Sequence, residues 1–273
     1  MTIPQDATHK AQMIGLILPS FSNPFFMELA EAVEKEAYRQ GFKPILCAAG
    51  HSAEKEEDLI RTLSENNVAG FITATGNFTD VYERHNLKVV SVDKKMTPDI
   101  VNVGSDNMKC GALAISHLSE CGCRKVLFIR REKDTSSVLD RQNGALEMAG
   151  KLGVEMGILA IPEANAEWVL DENHELLREY DGIFAWNDIT AVSVLHTCHA
   201  HGLRVPDDIM VTGCDNISLS RQMAPSLTTV AQKIYLMGHL SAHMLLNMVQ
   251  GKEVLSKDIL LDVELLKRES TKW

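Results

Sequence analysis

Residues 186–216 read WNDITAVSVLHTCHAHGLRVPDDIMVTGCDN, and they decide the fold. Asn187 and Asp188 follow the apolar run that ends at Trp186, and Asp215 and Asn216 follow a second apolar run, IMVTGC. Between them lies an amphipathic stretch of helical length. A short apolar run, a helix-period segment and another short apolar run make the signature of two parallel strands joined by a crossover helix. In such sheets the strand-to-helix loops carry the functional side chains. The two Asx pairs stand in those loops.

The same alternation runs along the whole chain. Strands are expected at MIGLILP, KPILCAA, VAGFITAT, LKVVSVD and IVNVGSD in the first half. In the second half they are expected at KVLFIRR, GVEMGILAIP, DGIFAWND, DIMVTGCD and ILLDVELLKRE. The fold class is therefore α/β, with two similar lobes built on parallel sheets and helices on both faces. Asn23 can cap the first helix, Pro24 fits its first helical position and Gly41 stops it. A second helix is expected from about Ala53 to Asn66, with Glu54, Glu56, Glu57 and Asp58 near its positive end. The last long helix, IYLMGHLSAHMLLNMVQG, is apolar on more than one face and calls for burial or for a second subunit. SECGCRK is the only punctuation near the middle, so lobe boundaries are expected at 13–121 plus 234–258 and at 122–233 plus 259–273, with residues 1–12 a flexible lead-in.

Composition narrows the function classes. The 273 residues are 45% hydrophobic and 23% charged, enough for two cores. Lys and Arg number 27 against 37 Asp and Glu, a net charge of −10 that repels a phosphate backbone, and no basic cluster offsets it. No apolar run reaches the roughly 20 residues of a membrane span, and MTIPQDATHKAQ lacks the pattern of a secretory signal. The six scattered cysteines suit reduced thiols, which together with the missing signal points to the cytoplasm.

The residues that follow the strands are Ser20, Phe21, Asn23 and Phe25, then Thr73 and Thr75, Asp93, Asp106, Arg130, Arg131, Asn187, Asp188, Asp215 and Asn216. Amides, carboxylates, hydroxyls, guanidiniums and flanking aromatics suit a polyhydroxylated ligand: the polar groups pair with adjacent hydroxyls and an aromatic face covers the ring. An Asx residue after a strand also caps the following helix, and either role fits any one of them alone.

VPDDIMVTGCDN followed by PSLTTVAQ resembles the closing signature of the LacI/GalR family of bacterial transcription regulators. NVGSDNMKCGALAISHL, SSVLDRQNGALEMA, the terminal ELLKREST and the opening MIGLILPSFSNPFF resemble that family in order and spacing, so the likeness spans Met13 to Thr271. It implies a periplasmic-binding-protein-like core of type I: two Rossmann-like lobes, three crossovers, a small effector such as a sugar or sugar derivative in the cleft, and a side-by-side homodimer. It implies effector-binding roles for Arg141, Asn187 and Asp215, places Ser20, Phe21, Asn23 and Phe25 on the variable first loop, and sets Gln232 near the cleft. Cys214 stands where the family usually has an aromatic. The family's helix-turn-helix headpiece, which reads operator DNA, is not seen ahead of Met13, so the expectation is an effector core whose DNA contact comes from a headpiece absent from these residues.

Other features carry less. Trp168 can stack on a ligand or simply pack, and it joins the candidate ligand set with Thr75. His196 and His199 can share a helix face, but no carboxylate or cysteine pair at ligand spacing accompanies them, so no metal and no cofactor are expected. GxSxG, GxxxxGK[ST], GxGxxG at the first helix and HExxH are all missing, and no histidine stands among the strand-end residues. A binder is expected rather than an enzyme. The rivals are a sugar-binding protein of a transport system and an enzyme acting on a sugar or nucleoside.

Overall fold

The structure is a computed structural model that describes residues 12–50, 52–76, 81–133, 135–162, 165–254 and 256–272. The expected lead-in at 1–12 lies outside them except for Gln12, which already belongs to the first strand. In chain order the elements are β1 (Gln12–Leu18), α1 (Pro24–Arg39), β2 (Phe42–Ala48), α2 (Ala53–Glu65), β3 (Val68–Thr73), α3 (Val81–Arg84), β4 (Val89–Val92), β5 (Val101–Ser105) and α4 (Asn107–Glu120). They continue with β6 (Lys125–Arg131), α5 (Ser136–Leu152), β7 (Glu155–Ile161), α6 (Ala166–Glu172), α7 (His174–Leu177), β8 (Gly182–Ala185), α8 (Asp188–Ala200), β9 (Met210–Asp215) and α9 (Leu219–Gln222). The last four are β10 (Thr228–Ala231), α10 (Ile234–Val249), β11 (Asp258–Leu261) and β12 (Glu264–Leu266).

The chain divides into two compact units. The first takes Met1–Ser22, Phe26–Val103 and Tyr235–Ile259, and the second takes Asn23–Phe25, Gly104–Ile234 and Leu260–Trp273. In the first, six strands lie in the order β11-β5-β4-β3-β1-β2. β1 runs parallel to both β2 and β3, and β3, β4 and β5 continue the parallel pairing. Ile14, Leu16 and Ile17 of β1 are fully buried, as expected of a central strand covered on both faces. Ser52 caps α2 by accepting from the Lys55 amide. Asn23 Oδ1 accepts from the Phe25 amide at 3.0 Å, and Gly41, at φ +83°, closes the turn behind α1.

The second unit holds the order β12-β10-β9-β8-β6-β7. β6 through β10 pair in parallel, whereas β12 runs antiparallel to β10, so this sheet is mixed at one edge. The sequence reading needs two corrections here. TTVA at 228–231 is a strand in its own right, and ILLDVELLKRE is two strands, β11 and β12, that belong to different sheets. Period-2 patterning cannot show where a run changes sheet.

The boundary expected near 121 also moves. Helix α4 packs in the second unit, against α5, because two glycines let the backbones touch. A Cβ on Gly111 would come within 2.0 Å of the Arg141 carbonyl oxygen, and one on Gly144 within 1.9 Å of the Met108 carbonyl oxygen. The punctuation at 121–123 is the turn after α4 and lies inside the second unit. Helix α8 is buried round most of its surface, leaving His196, His199 and Ala200 as an exposed stripe.

Gly144→Ala is expected to lower the unfolding free energy by about 2–3 kcal/mol, the scale of backbone overpacking, read by urea denaturation. Gly150→Ala on the same helix, where a Cβ meets nothing within 4 Å, is expected to hold or gain up to about 1 kcal/mol.

Candidate functional site

The strand ends of the second unit bring four of the ten expected residues together. Arg141 lies on α5, one turn past the helix start, and is 2% exposed. Its Nε donates to Asn107 Oδ1 at 2.7 Å and its Nη1 to the Trp186 carbonyl oxygen at 2.5 Å. Nη1 also stands 3.8 Å from Asp215 Oδ1. Asn107 is held in turn by donating to the Ser105 carbonyl. The glycine contact between α4 and α5 is what brings Asn107 and Arg141 within reach.

Asp215 ends β9 at φ +130°, and Asn216 follows at +61°. Side-chain residues avoid both conformations, at a cost of roughly 1–3 kcal/mol each. Asp215 is 3% exposed and accepts from Gln232 Nε2 at 2.6 Å. Burial pushes its carboxyl well above the usual carboxylate range, and the Arg141 guanidinium pulls against that. Gln232, at the end of β10, keeps Oε1 buried without a hydrogen-bond partner. Such an orphan acceptor is uncommon in a finished core and marks a place that expects a donor.

Asn187 caps α8, its Oδ1 accepting from the Thr190 amide at 2.8 Å. Capping uses one end of the side chain only. Among the described residues its Nδ2 and the second carboxylate oxygen of Asp215 make no hydrogen bond. Asn187 Nδ2, Asp215 Oδ2 and Gln232 Oε1 therefore leave one donor and two acceptors for a small polar molecule.

Thr75 is buried in the first unit, its hydroxyl donating to Glu56 Oε2 at 2.7 Å in a network shared with Thr73 and Tyr82. Ser20 Oγ pairs with Ser22, Phe21 is exposed, Asn23 caps α1 and Phe25 is buried. Trp168 lies on α6 and is 61% exposed, with its ring free for a contact. Cys214, where an aromatic was expected by resemblance, is wholly buried beside Asp215 and builds core.

Sequence reasoning did not single out Asn107, the carbonyl of Trp186, Thr229 or Arg268. Asn107 had a signal, since it follows the Asp106 cap at a strand end. Arg268 donates to Asn216 Oδ1, Ser220 Oγ and the Leu227 carbonyl, a role that no local pattern reveals. Among the described residues no group of three or more His, Cys, Asp or Glu could hold a metal ion, and no helix is long and apolar enough to cross a membrane.

Residues 115–271, which take in most of the second unit and the Tyr235–Ile259 segment of the first, match the model of the periplasmic binding protein-like domain. The chain belongs to the periplasmic-binding-protein-like effector domains of the LacI family of regulators. The ribose operon repressor of Halalkalibacterium halodurans is 35% identical over 97% of this chain and 81% of its own length. Among solved structures, a periplasmic binding protein/LacI transcriptional regulator from Alkaliphilus metalliredigens in complex with D-xylulofuranose is 30% identical, with a TM-score of 0.89 over 96% of this chain and all of its own. A LacI family regulator from Enterococcus faecium with bound ribose is 27% identical, with a TM-score of 0.86 over 95% of this chain and 98% of its own. These relatives are transcriptional regulators, and the first is a repressor by name.

Arg141→Met leaves Asn107 Oδ1 and the Trp186 carbonyl without their donor and takes the nearby cation from Asp215, which keeps its bond from Gln232. It is expected to cost about 3–5 kcal/mol of stability, the scale for stripping a buried charge of its partner, measured by urea denaturation.

Proposed function

We propose that this chain is the effector-sensing domain of a transcriptional repressor, and that its effector is a neutral sugar of pentose size. The observation that carries the reading is the convergence of Arg141, Asn187, Asp215 and Gln232, with one donor and two acceptors unspent. Adjacent sugar hydroxyls both give and take hydrogen bonds, so they satisfy such a set in a way that an apolar ligand does not. The acceptors argue against an anion. A dianionic phosphate brings no proton for the Gln232 carbonyl to accept, whereas a sugar hydroxyl does. The ribose operon repressor relative and the two sugar-bound regulators support the same ligand class.

The domain acts by linkage. An effector that binds one conformation of the domain more tightly shifts the population toward it, and DNA affinity changes by the same coupling energy, about 1–3 kcal/mol. At a net charge of −10 the domain itself is a poor partner for DNA, so this reading assigns operator contact to a headpiece on the same polypeptide. It further assigns a homodimer, a cytoplasmic location and no turnover of the sugar.

Calorimetry with D-ribose, D-xylulose, sucrose and ribose 5-phosphate tests the ligand class. D-Ribose or D-xylulose is expected to bind, ribose 5-phosphate to bind at least tenfold more weakly, and Asp215→Ala to weaken the hit about 10- to 100-fold. Binding of the phosphate alone would overturn the neutral-sugar reading. Sedimentation velocity at micromolar concentration is expected to give twice the mass of one chain.

A further inference from the structure

The second unit buries another carboxylate that the effector cluster does not use. Asp188, the first residue of α8, is fully buried. Its Oδ1 accepts from the Thr229 hydroxyl at 2.6 Å and its Oδ2 from the Ile217 amide at 3.0 Å. The chain makes room for it: a Cβ on Gly213 would come within 2.3 Å of Asp188 Oδ1. Three elements thus meet on one carboxylate, namely the start of α8, the end of β9 with its turn, and β10.

That turn is the segment that aims Asp215. Asp215 and Asn216 hold positive φ in succession, and such a pair persists only where the surroundings impose it. Asp188 clamps the far side of the turn at Ile217, and Arg268 clamps Asn216 Oδ1. We propose that Asp188 is the positioning residue of the effector site: its carboxylate braces the 215–217 turn, so setting the direction of Asp215, and releases part of that brace when it takes up a proton.

The proton matters because both partners of Asp188 are donors. A proton on Oδ2 would face the Ile217 N–H and break that bond, whereas a proton on Oδ1 is donated to the Thr229 hydroxyl, which turns to accept it; in both cases the charge that strengthens the bonds to Ile217 and Thr229 is lost and the brace weakens. Burial pushes the Asp188 carboxyl up to about 6, against the pull of Thr229, the Ile217 and Asn216 amides and Arg268. The other titratable and charged groups that act on this region are Asp215 and Cys214 from β9, Arg141 of α5, Cys110 of α4, Arg268 from the C-terminal segment and, through Arg268, Arg221 of α9. With the folded value above that of an unfolded aspartate, the proton is bound as pH falls through about 6, and the brace is complete above it.

The inference rests on Asp215 as an effector residue, and its test has one readout that needs no effector. In ¹⁵N–¹H spectra of the ligand-free chain, the Asn216 and Ile217 amides are expected to shift with a midpoint near 6. That transition is expected to vanish in Asp188→Asn, to move to higher pH in Thr229→Val, and to return in Thr229→Ser. D-Ribose affinity by calorimetry is expected to fall about tenfold across the same inflection, the scale of one buried hydrogen bond, and Asp188→Asn is expected to remove the inflection. The assignment is overturned if the two amides do not titrate, or if the inflection in affinity survives in Asp188→Asn, which would make it a property of Asp215 alone. Failure of the unaltered chain to bind D-ribose, D-xylulose or sucrose would sink the sugar reading, while the amide titration would still decide the role of Asp188.

Discussion

A guanidinium with almost no access to water governs the second unit. Burying the charge of Arg141 is tolerable only because fixed acceptors surround it, and each acceptor is fixed by a different part of the fold. Asn107 comes from the start of α4, the Trp186 carbonyl from the loop before α8, and Asp215 from the end of β9. The distances tolerate little drift, which explains why α4 and α5 meet at two glycines where any side chain would collide with backbone. The closest helix contact in the unit and the polarity of its strand ends are therefore one constraint seen from two sides.

Asp188 and Asp215 divide the work between two carboxylates. Asp188 has hydrogen bonds to both oxygens from within the protein, whereas Asp215 has one oxygen engaged and one unspent. Each stands near one arginine, Arg268 for the first and Arg141 for the second. Asn187 follows the same logic at smaller scale: one end of its amide holds α8 and the other remains to meet a ligand.

Much of this could be read from the sequence, and the reasons are local. Strand–helix alternation rests on periodicities of 2 and 3.6, which survive in a linear string, so the α/β class and the residues after each strand could be read directly. Arg141, Asn187, Asp215 and Gln232 were reached through strand ends and through resemblance. What escaped depends on distant pairs. The assignment of α4 to the second unit follows from Gly111 facing Gly144, and nothing near either glycine announces the other. The separation of β11 from β12 turns on which sheet each edge finds. The partner of Thr75 escaped for a similar reason: Glu56 lies on α2 and looks in the sequence like one more acidic residue in a charged first turn.

The Glu56 network offers a contrast that separates scaffold from site. There, a wholly buried carboxylate accepts from the Thr73, Thr75 and Tyr82 hydroxyls, and Tyr82 titrates well above its ordinary value because burial and the adjacent carboxylate both oppose its ionisation. Polar content and burial match those of the Asp215 cluster. The difference is in what remains unspent. A polar group buried without a partner costs stability, and Ser64 Oγ and Thr97 Oγ1 in the first unit are orphans of that kind as well as Gln232 Oε1. What sets Gln232 apart is its neighbour, because it donates to an Asp215 whose second oxygen is also unspent, and under the proposed reading the hydroxyls of a bound molecule would do for that pair what three side-chain hydroxyls do for Glu56.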